Sequence, residues 1–165
     1  MYQAGEKIVY GSVGVCTVED VGTGFVRGDK RPYYKLRPVY STETIYIPVD
    51  SDVFMRPVLT REEAEELIAR LPNIDGEICS DSNLTALRQQ YDAFFQSHAC
   101  EDYFRLVKGV YSKGKQSKKL GQTDQRYMKR AEDVLYGELA VALDIPADQV
   151  VSYIKKSVEN APRIV

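Results

Sequence analysis

The sequence predicts an α+β fold class, in which a small antiparallel β domain precedes an all-α domain of about four to five helices. The first observation is that β-branched and aromatic residues alternate with polar ones within residues 1–59, as in half-buried strands. The second is that apolar residues recur every three or four positions from residue 60 onward, as on one helix face. We therefore assign 1–59 to a β domain, 60–80 to a helix and linker, and 81–165 to a helical domain.

Four segments rich in Val, Ile, Tyr and Thr predict the strands, and each is bounded by Gly, Pro, Asp or Ser: 7–10, 13–21, 33–38 and 42–49. Residues 22–31 contain three glycines and several charges, which is typical of a hairpin tip. Pro48 is expected at a strand end or at a sheet edge. Four or five short strands in this length fit an SH3-like or Tudor-like barrel. The open edge of such a barrel can accept a strand of another protein.

Capping residues place the helices of the second part. Thr60 and Glu63 have the spacing of a capping box that opens a helix ending near residue 71. Further helices are expected after Asn83, over 103–111, after Thr123 and after Pro146, with a polar, basic connection over 112–121. The apolar stripes of these helices are expected to form a helical core: Leu84, Leu87, Tyr91, Phe94, Phe95, Tyr103, Leu106, Val107, Val110, Tyr111, Tyr127, Ala131, Val134, Leu135, Leu139, Ala142.

Charge is distributed unevenly along the chain. The formal net charge is −2, yet residues 105–130 hold nine basic residues and one acidic residue, a local charge of +8. Such clustering favours a site for a polyanion such as nucleic acid. A solvated helical face followed by a flexible basic loop would give the same pattern. Charge alone leaves both interpretations open.

The reactive residue types disfavour an enzyme. Cys16, Cys79 and Cys100 lie far apart without a CxxC spacing, so we expect buried, reduced thiols and neither a zinc ribbon nor a redox motif. His98, the only histidine, is expected at a helix end. No phosphate-binding or nucleophile motif is present. We therefore predict no catalytic residue, no metal site and no cofactor. With no membrane-length apolar run and no signal-like N-terminus, we also expect a cytoplasmic chain without membrane contact.

The order of several short motifs resembles a known family. The run GEKIVYGSVGV over 5–15 resembles the family start GD-x-VVYP-x-HGVG, and YYKL, IYIPV and MRP follow it in family order. Downstream, residues 97–111 and the segment LGQTDQRYMKRAEDVLYGELA over 120–140 resemble two helices of the same family. The chain is similar, over about residues 3–142, to the CarD/CdnL family of bacterial transcription regulators.

This resemblance implies two binding surfaces. In the family, the barrel binds the β subunit of RNA polymerase, as a similar barrel of the transcription-repair coupling factor does. The helical domain contacts promoter DNA near the upstream edge of the melted bubble and modulates open-complex stability. The expected polymerase-binding residues are Gly24, Arg27, Thr44, Ile45, Tyr46 and Ile47. The expected DNA-binding residues are Leu84, Arg88, Lys113, Lys115, Lys118, Lys119, Arg126, Lys129 and Arg130.

The chain departs from the family at both surfaces. Gly24 and Tyr46 fall where family members carry two polymerase-contacting arginines. The chain has no Trp, and Leu84 stands where many members place a Trp that wedges into the minor groove. Leu84 is therefore interpreted either as an apolar wedge or as a first-turn core contact. The alternative function is an adaptor that binds polymerase or another partner without contacting DNA. We expect a monomer, because the open edge strand is reserved for a partner.

Overall fold

The computed structural model describes residues 1–11, 13–116 and 120–160, and it divides the chain into two compact units. The β unit is Met1–Val58 and the helical unit is Leu59–Val165. Within these described residues, strands occupy the first unit and five α-helices the second, which confirms the predicted α+β class. Each unit has its own hydrophobic core.

The β unit is a five-stranded antiparallel sheet with the order β4-β3-β2-β1-β5. Its strands are β1 (Lys7–Tyr10), β2 (Gly14–Gly22), β3 (Tyr33–Pro38), β4 (Ile45–Pro48) and β5 (Met55–Pro57). Strands β1 and β3 have the predicted bounds, and the bounds of β2 and β4 differ from the predicted ones by one to three residues. The fifth, at three residues, is too short to show an alternating pattern in the sequence. Because β5 pairs with β1, the sheet edges are β4 and β5.

Alternate residues of the strands build the core of the β unit. Ile8, Val18 and Leu36 are fully buried at 0% exposure, and Tyr34 and Ile47 pack with them. The pairing of β2 with β3 shifts between Val18 and Asp20, where an extra residue interrupts the ladder. Pro48 ends the edge strand β4, as the sequence predicts.

The helical unit contains α1 (Arg61–Arg70), α2 (Leu84–Ala93), α3 (Cys100–Gln116), α4 (Gln122–Leu143) and α5 (Val150–Asn160). Short 3₁₀ turns occupy Leu71–Asn73 and Ala147–Gln149. The side chains of Ala64, Leu67 and Ile68 in α1 are buried in the same core as Leu106, Leu135 and Leu139. The first helix therefore packs as part of the helical unit.

Capping explains where two of these helices begin. At α1, the Thr60 hydroxyl accepts from the Glu63 N–H and the Glu63 carboxylate accepts from the Thr60 N–H, both at 3.1 Å, which confirms the predicted capping box. At α4, the prediction of a Thr123 cap is wrong. The N-cap is Gly121, whose N–H donates to the Asp124 carboxylate at 3.2 Å. A carboxylate three residues after the cap accepts this N–H, so the helix starts two residues earlier than predicted.

The middle of the helical unit differs from the sequence prediction in two places. Helix α3 continues to Gln116, so part of the predicted 112–121 connection is helical and carries Lys113 and Lys115. Tyr111 is 60% exposed and does not join the core. Its neighbour Val110 takes the buried position, and successive helix positions are rotated by about 100°.

The segment between α1 and α2 is tied to α3 by its backbone. The Glu77 N–H donates to the Arg105 carbonyl at 3.1 Å, and the Lys108 ammonium donates to the carbonyls of Leu71 and Ile74. Gly109 faces this segment so closely that an added Cβ would lie 1.9 Å from the Glu77 carbonyl oxygen. This stretch, 74–79, is called the strap below.

The cysteine prediction is confirmed. Cys16, Cys79 and Cys100 are free and buried. Burial raises the pKa of the Cys16 and Cys79 thiols to about 11, so both are held as the neutral thiol.

In the part of the chain that the structure describes, no helix is both long enough and apolar enough to cross a membrane.

Candidate functional site

The edge strand β4 exposes the backbone of one residue. The Val49 N–H donates to the Pro32 carbonyl at 3.1 Å, so the backbone N–H of Val49, just after β4, points toward the chain of β3. In an antiparallel pair the positions whose backbone bonds face the partner strand alternate, so Ile47 and Ile45 also face β3. The N–H and C=O of Tyr46 therefore point away from the sheet, where a further strand could pair with them.

Side chains on β4 divide between the core and the surface. Ile47 is 5% exposed and packs in the core, so this predicted polymerase-binding residue has no surface side chain to offer. Ile45 is half-buried beside the same core, and Thr44 is exposed just before the strand. Tyr46, on the opposite face, is 45% exposed. Tyr46 is thus the β4 residue whose side chain and backbone are both accessible.

The loop between β2 and β3 brings a further aromatic residue to this edge. The ring of Phe25 lies 5.7 Å from the ring of Tyr46, with 38° between their planes. Gly24, which precedes it, has a φ of +85°, a backbone conformation that side chains disfavour. Arg27, two residues after Phe25, is exposed. The ring contact of Phe25 therefore brings the loop that holds the predicted residues Gly24 and Arg27 to Tyr46, and the sequence does not predict Phe25 as part of this surface.

Hydrogen bonds fix the shape of this loop. The Arg31 guanidinium donates to both oxygens of Asp29, at 2.7 Å for its closest contact, and the Tyr33 hydroxyl donates to Asp29 at 2.6 Å. The Asp29 N–H donates in turn to the Val26 carbonyl at 3.1 Å. The bonds from Arg31, with that from Tyr33, hold the pKa of the Asp29 carboxyl well below its usual range, so the carboxylate stays ionised in more acidic solution than an ordinary aspartate.

In the helical unit, the structure separates the basic run of 105–130 into different environments. Arg105 pairs with Glu101 at 2.9 Å and Asp102 at 3.0 Å within its own helix. Lys113 pairs with Asp124 at 2.9 Å and donates to the Cys79 carbonyl at 2.8 Å, with its side chain 20% exposed. The local charge therefore does not form one continuous patch. DNA contact by Lys113 stays a prediction, and in the structure its ammonium is bound to Asp124 and to the Cys79 carbonyl within the unit.

Asp124 is the centre of a buried polar cluster. It is 4% exposed and accepts from the Tyr91 hydroxyl at 2.5 Å as well as from Lys113. Burial raises the pKa of Asp124, but the hydrogen bonds from Tyr91 and Lys113 outweigh that effect and lower it below its usual value. Burial, followed by the bond to Asp124, raises the pKa of Tyr91. The cluster joins α2, α3 and α4 in one arrangement.

A second group of basic residues is exposed along α2 and α4. Leu84 is 55% exposed at the start of α2, so it does not join the core, and the alternative of a first-turn core contact is excluded. Arg88 follows one turn later on the same face and is exposed. On α4, Arg126 is exposed, and within the described part of the chain neither arginine forms an ion pair.

Arg130 connects these two helices. Its guanidinium lies 4.0 Å from the centre of the Phe95 ring and 4.0 Å from the Asp92 carboxylate. Asp92 also accepts from the Tyr127 hydroxyl at 2.7 Å. Asp92 lies one turn beyond Arg88 on α2, so the exposed face that begins at Leu84 reaches Arg130. We call Leu84, Arg88, Arg126 and Arg130 the arginine face.

The remaining predicted DNA-binding residues lie elsewhere or carry partners. Lys129 is exposed and pairs with Asp133 at 3.2 Å. Lys115 lies over the ring of Tyr111 at 4.6 Å. Lys118 and Lys119 lie outside the described residues.

Among residues 1–11, 13–116 and 120–160, no group of three or more His, Cys, Asp or Glu side chains is arranged to hold a metal ion.

Comparison with known protein families identifies the β unit. Residues 2–59 match the family model described as the CarD-like/TRCF RID domain. The match spans about a third of the chain and ends one residue beyond the β unit. The N-terminal unit is therefore a CarD-like RNA polymerase-interacting domain, which confirms the resemblance over this unit and indicates RNA polymerase interaction and a role in transcription.

Proposed function

We propose that this chain, which carries a CarD-like RNA polymerase-interacting domain, is a transcription regulator with two binding surfaces. The β unit binds the β subunit of RNA polymerase through the β4 edge. The helical unit contacts promoter DNA near the upstream edge of the transcription bubble and changes open-complex stability. The family match over 2–59, on the unit whose edge strand presents Tyr46, is the observation that carries the proposal.

The geometry of β4 supports the polymerase contact. An outward N–H and C=O on a sheet edge can pair with an extended segment of another protein, and neighbouring side chains then supply specificity. Tyr46 presents both backbone groups and an exposed ring. The β unit therefore offers a strand-pairing site without rearrangement of its core.

The arginine face supports the DNA contact. Exposed arginines bind phosphates with little sequence preference, and an apolar side chain beside them can enter the minor groove at a distorted base step. Leu84 is exposed one turn from Arg88, which suits this use. Few cations are involved, so the grip on DNA is weak alone and becomes effective when polymerase holds the chain at the promoter.

The polymerase contact is tested by binding of the full chain to the RNA polymerase β subunit. Tyr46→Glu places a charge on the edge strand and is expected to abolish the interaction. Tyr111→Glu is the matched control, because Tyr111 is an exposed tyrosine of the helical unit. Failure of the unmodified chain to bind the β subunit would overturn the proposal.

The DNA contact is tested with a fork-junction promoter fragment in a salt titration. Binding should weaken as salt rises, and each arginine reversal (Arg88→Glu, Arg126→Glu or Arg130→Glu) should reduce the slope of log K against log salt by about 1. Lys155→Glu, at an exposed position of α5, is the control. An affinity that changes neither with salt concentration nor with the arginine substitutions would contradict DNA contact.

The adaptor function remains the second candidate because the structure favours it in one respect. Arg105, Lys108 and Lys113 of the basic run are engaged within the helical unit. An adaptor predicts that the chain binds the polymerase β subunit with undiminished affinity while the fork-junction fragment shows no salt-dependent binding. The two titrations above separate the candidates.

A further inference from the structure

We propose that Phe25 and Tyr46 form an aromatic clamp that selects a partner strand carrying an uncharged, apolar side chain opposite Tyr46. This inference rests on the proposed function, since the partner is an extended segment of the polymerase β subunit. It adds which side chain of that segment is recognised and by which residues of this chain. Phe25 is thereby assigned a specificity role.

The position of the partner side chain follows from strand geometry. A strand pairing with β4 would place one residue opposite Tyr46, bonded to its outward N–H and C=O. Side chains of directly opposed residues lie on the same face of the sheet. The partner residue therefore projects onto the face of the Tyr46 ring, where the Phe25 ring lies 5.7 Å away.

The chemistry of the partner side chain follows from the charges around the clamp. Lys35, the residue of β3 opposite Tyr46, is 3.7 Å from Glu19, which also pairs with Arg37 at 2.8 Å. Arg31, in the β2–β3 loop, is bound to Asp29. Lys35, Arg37 and Arg31 thus have carboxylate partners, whereas the two rings present apolar surface at the edge. An aliphatic, aromatic or proline side chain fits this environment better than a charged one.

The other sheet edge provides an internal comparison. The Gly11 N–H donates to the Phe54 carbonyl at 2.7 Å, so by the same alternation Met55 of β5 also turns its backbone outward. Phe54 is 39% exposed near that edge. A phenylalanine thus lies beside each edge strand of the unit: Phe25, half-buried, contacts Tyr46 of β4, and Phe54, exposed, adjoins β5.

The test measures binding of the full chain to core RNA polymerase. We expect Phe25→Ala and Tyr46→Ala to weaken binding about five- to tenfold each, and Tyr46→Phe to bind like the unmodified chain because it keeps the ring. Phe54→Ala is the matched control and should leave the affinity unchanged. Circular dichroism of each variant checks that the β unit remains folded.

Salt provides a second readout. A contact made of rings and backbone hydrogen bonds should change in affinity by less than about threefold between about 0.05 M and 0.5 M salt. If the unmodified chain binds polymerase but Phe25→Ala matches Phe54→Ala, or if binding falls steeply with salt, the clamp is refuted while the proposed function stands. If the unmodified chain does not bind polymerase, the proposed function itself fails.

Discussion

Gly109→Ala is the substitution whose effect follows most directly from the geometry of the helical unit. Gly109 lies in α3 under the strap, where a Cβ would be 1.9 Å from the carbonyl oxygen and 2.5 Å from the carbonyl carbon of Glu77. Both atoms belong to the backbone, so no side-chain rotation can relieve the overlap. The strap must move instead, although the Glu77 N–H is bonded to the Arg105 carbonyl.

The magnitude follows from two opposing effects. Alanine favours the helix over glycine by about 1 kcal/mol. Restoring an ordinary contact of 3.4 Å requires the strap to move by about 1.5 Å, which opens the Glu77 hydrogen bond. Overpacking costs about 1–3 kcal/mol and a lost hydrogen bond about 1 kcal/mol. We therefore expect Gly109→Ala to lower the free energy of unfolding by about 1–3 kcal/mol, since the steric cost exceeds the helix preference.

Gly114→Ala is the matched control in the same helix. Its Cβ would first meet the end of the Leu120 side chain at 3.3 Å, which can rotate away. We expect stability to stay the same or to rise by up to about 1 kcal/mol. The assay is urea unfolding of both full-length variants, monitored by circular dichroism at about 222 nm, the helix minimum. If Gly109→Ala is as stable as Gly114→Ala, the close approach of the strap to α3 is wrong.

Three other predictions test the core, the DNA surface and a helix cap. Asp124→Asn should destabilise the helical unit by about 3–5 kcal/mol, because it leaves Lys113 partly buried without its charge partner. The pKa of Asp124 is lowered in the folded state, so its ionised carboxylate stabilises the fold at pH values above the unfolded pKa of 3.8. This stabilisation is lost as pH falls through the folded pKa. In that pH range, the free energy of unfolding should therefore fall less for Asp124→Asn than for the unmodified chain. Leu84→Ala should change the free energy of unfolding by less than about 0.5 kcal/mol, while weakening binding to a fork-junction fragment; an equal loss of binding to fully paired DNA would argue against a wedge. Thr60→Ala should cost about 1 kcal/mol in thermal or urea unfolding, and an unchanged midpoint would contradict the capping box.

Local patterns predicted most of the fold because they reflect short-range physics. The strand-forming residues of 33–38, bounded by turn residues, give the bounds of β3, and Thr60 with Glu63 gives the start of α1. Each of these signals depends on residues within a few positions of each other. The strand β5 and the true start of α4 were missed because the first is very short and the second uses a carboxylate after a glycine cap.

The surfaces were harder to predict because they depend on contacts between distant residues. Lys113 and Asp124 are eleven positions apart, and only the packing of α3 against α4 shows that their charges neutralise each other. Lys108 donates to carbonyls more than thirty residues away in the sequence. Summing the charges over 105–130 shows neither the Lys113–Asp124 pair nor the contacts of Lys108. The apolar Phe25 between turn residues was the one sequence signal for the clamp, and it acquires meaning only through its contact with Tyr46.

Site-specific photo-cross-linking in a promoter complex of RNA polymerase with the full chain tests the β4 contact and the DNA contact together. A photoreactive amino acid at position 46 should cross-link to the polymerase β subunit, and the same group at position 84 should cross-link to promoter DNA near the upstream edge of the bubble. Position 54, beside the opposite sheet edge, serves as the control and should give neither product. Cross-linking to the β subunit from position 54 but not from position 46 would contradict the central claim that the β4 edge holds this chain on polymerase.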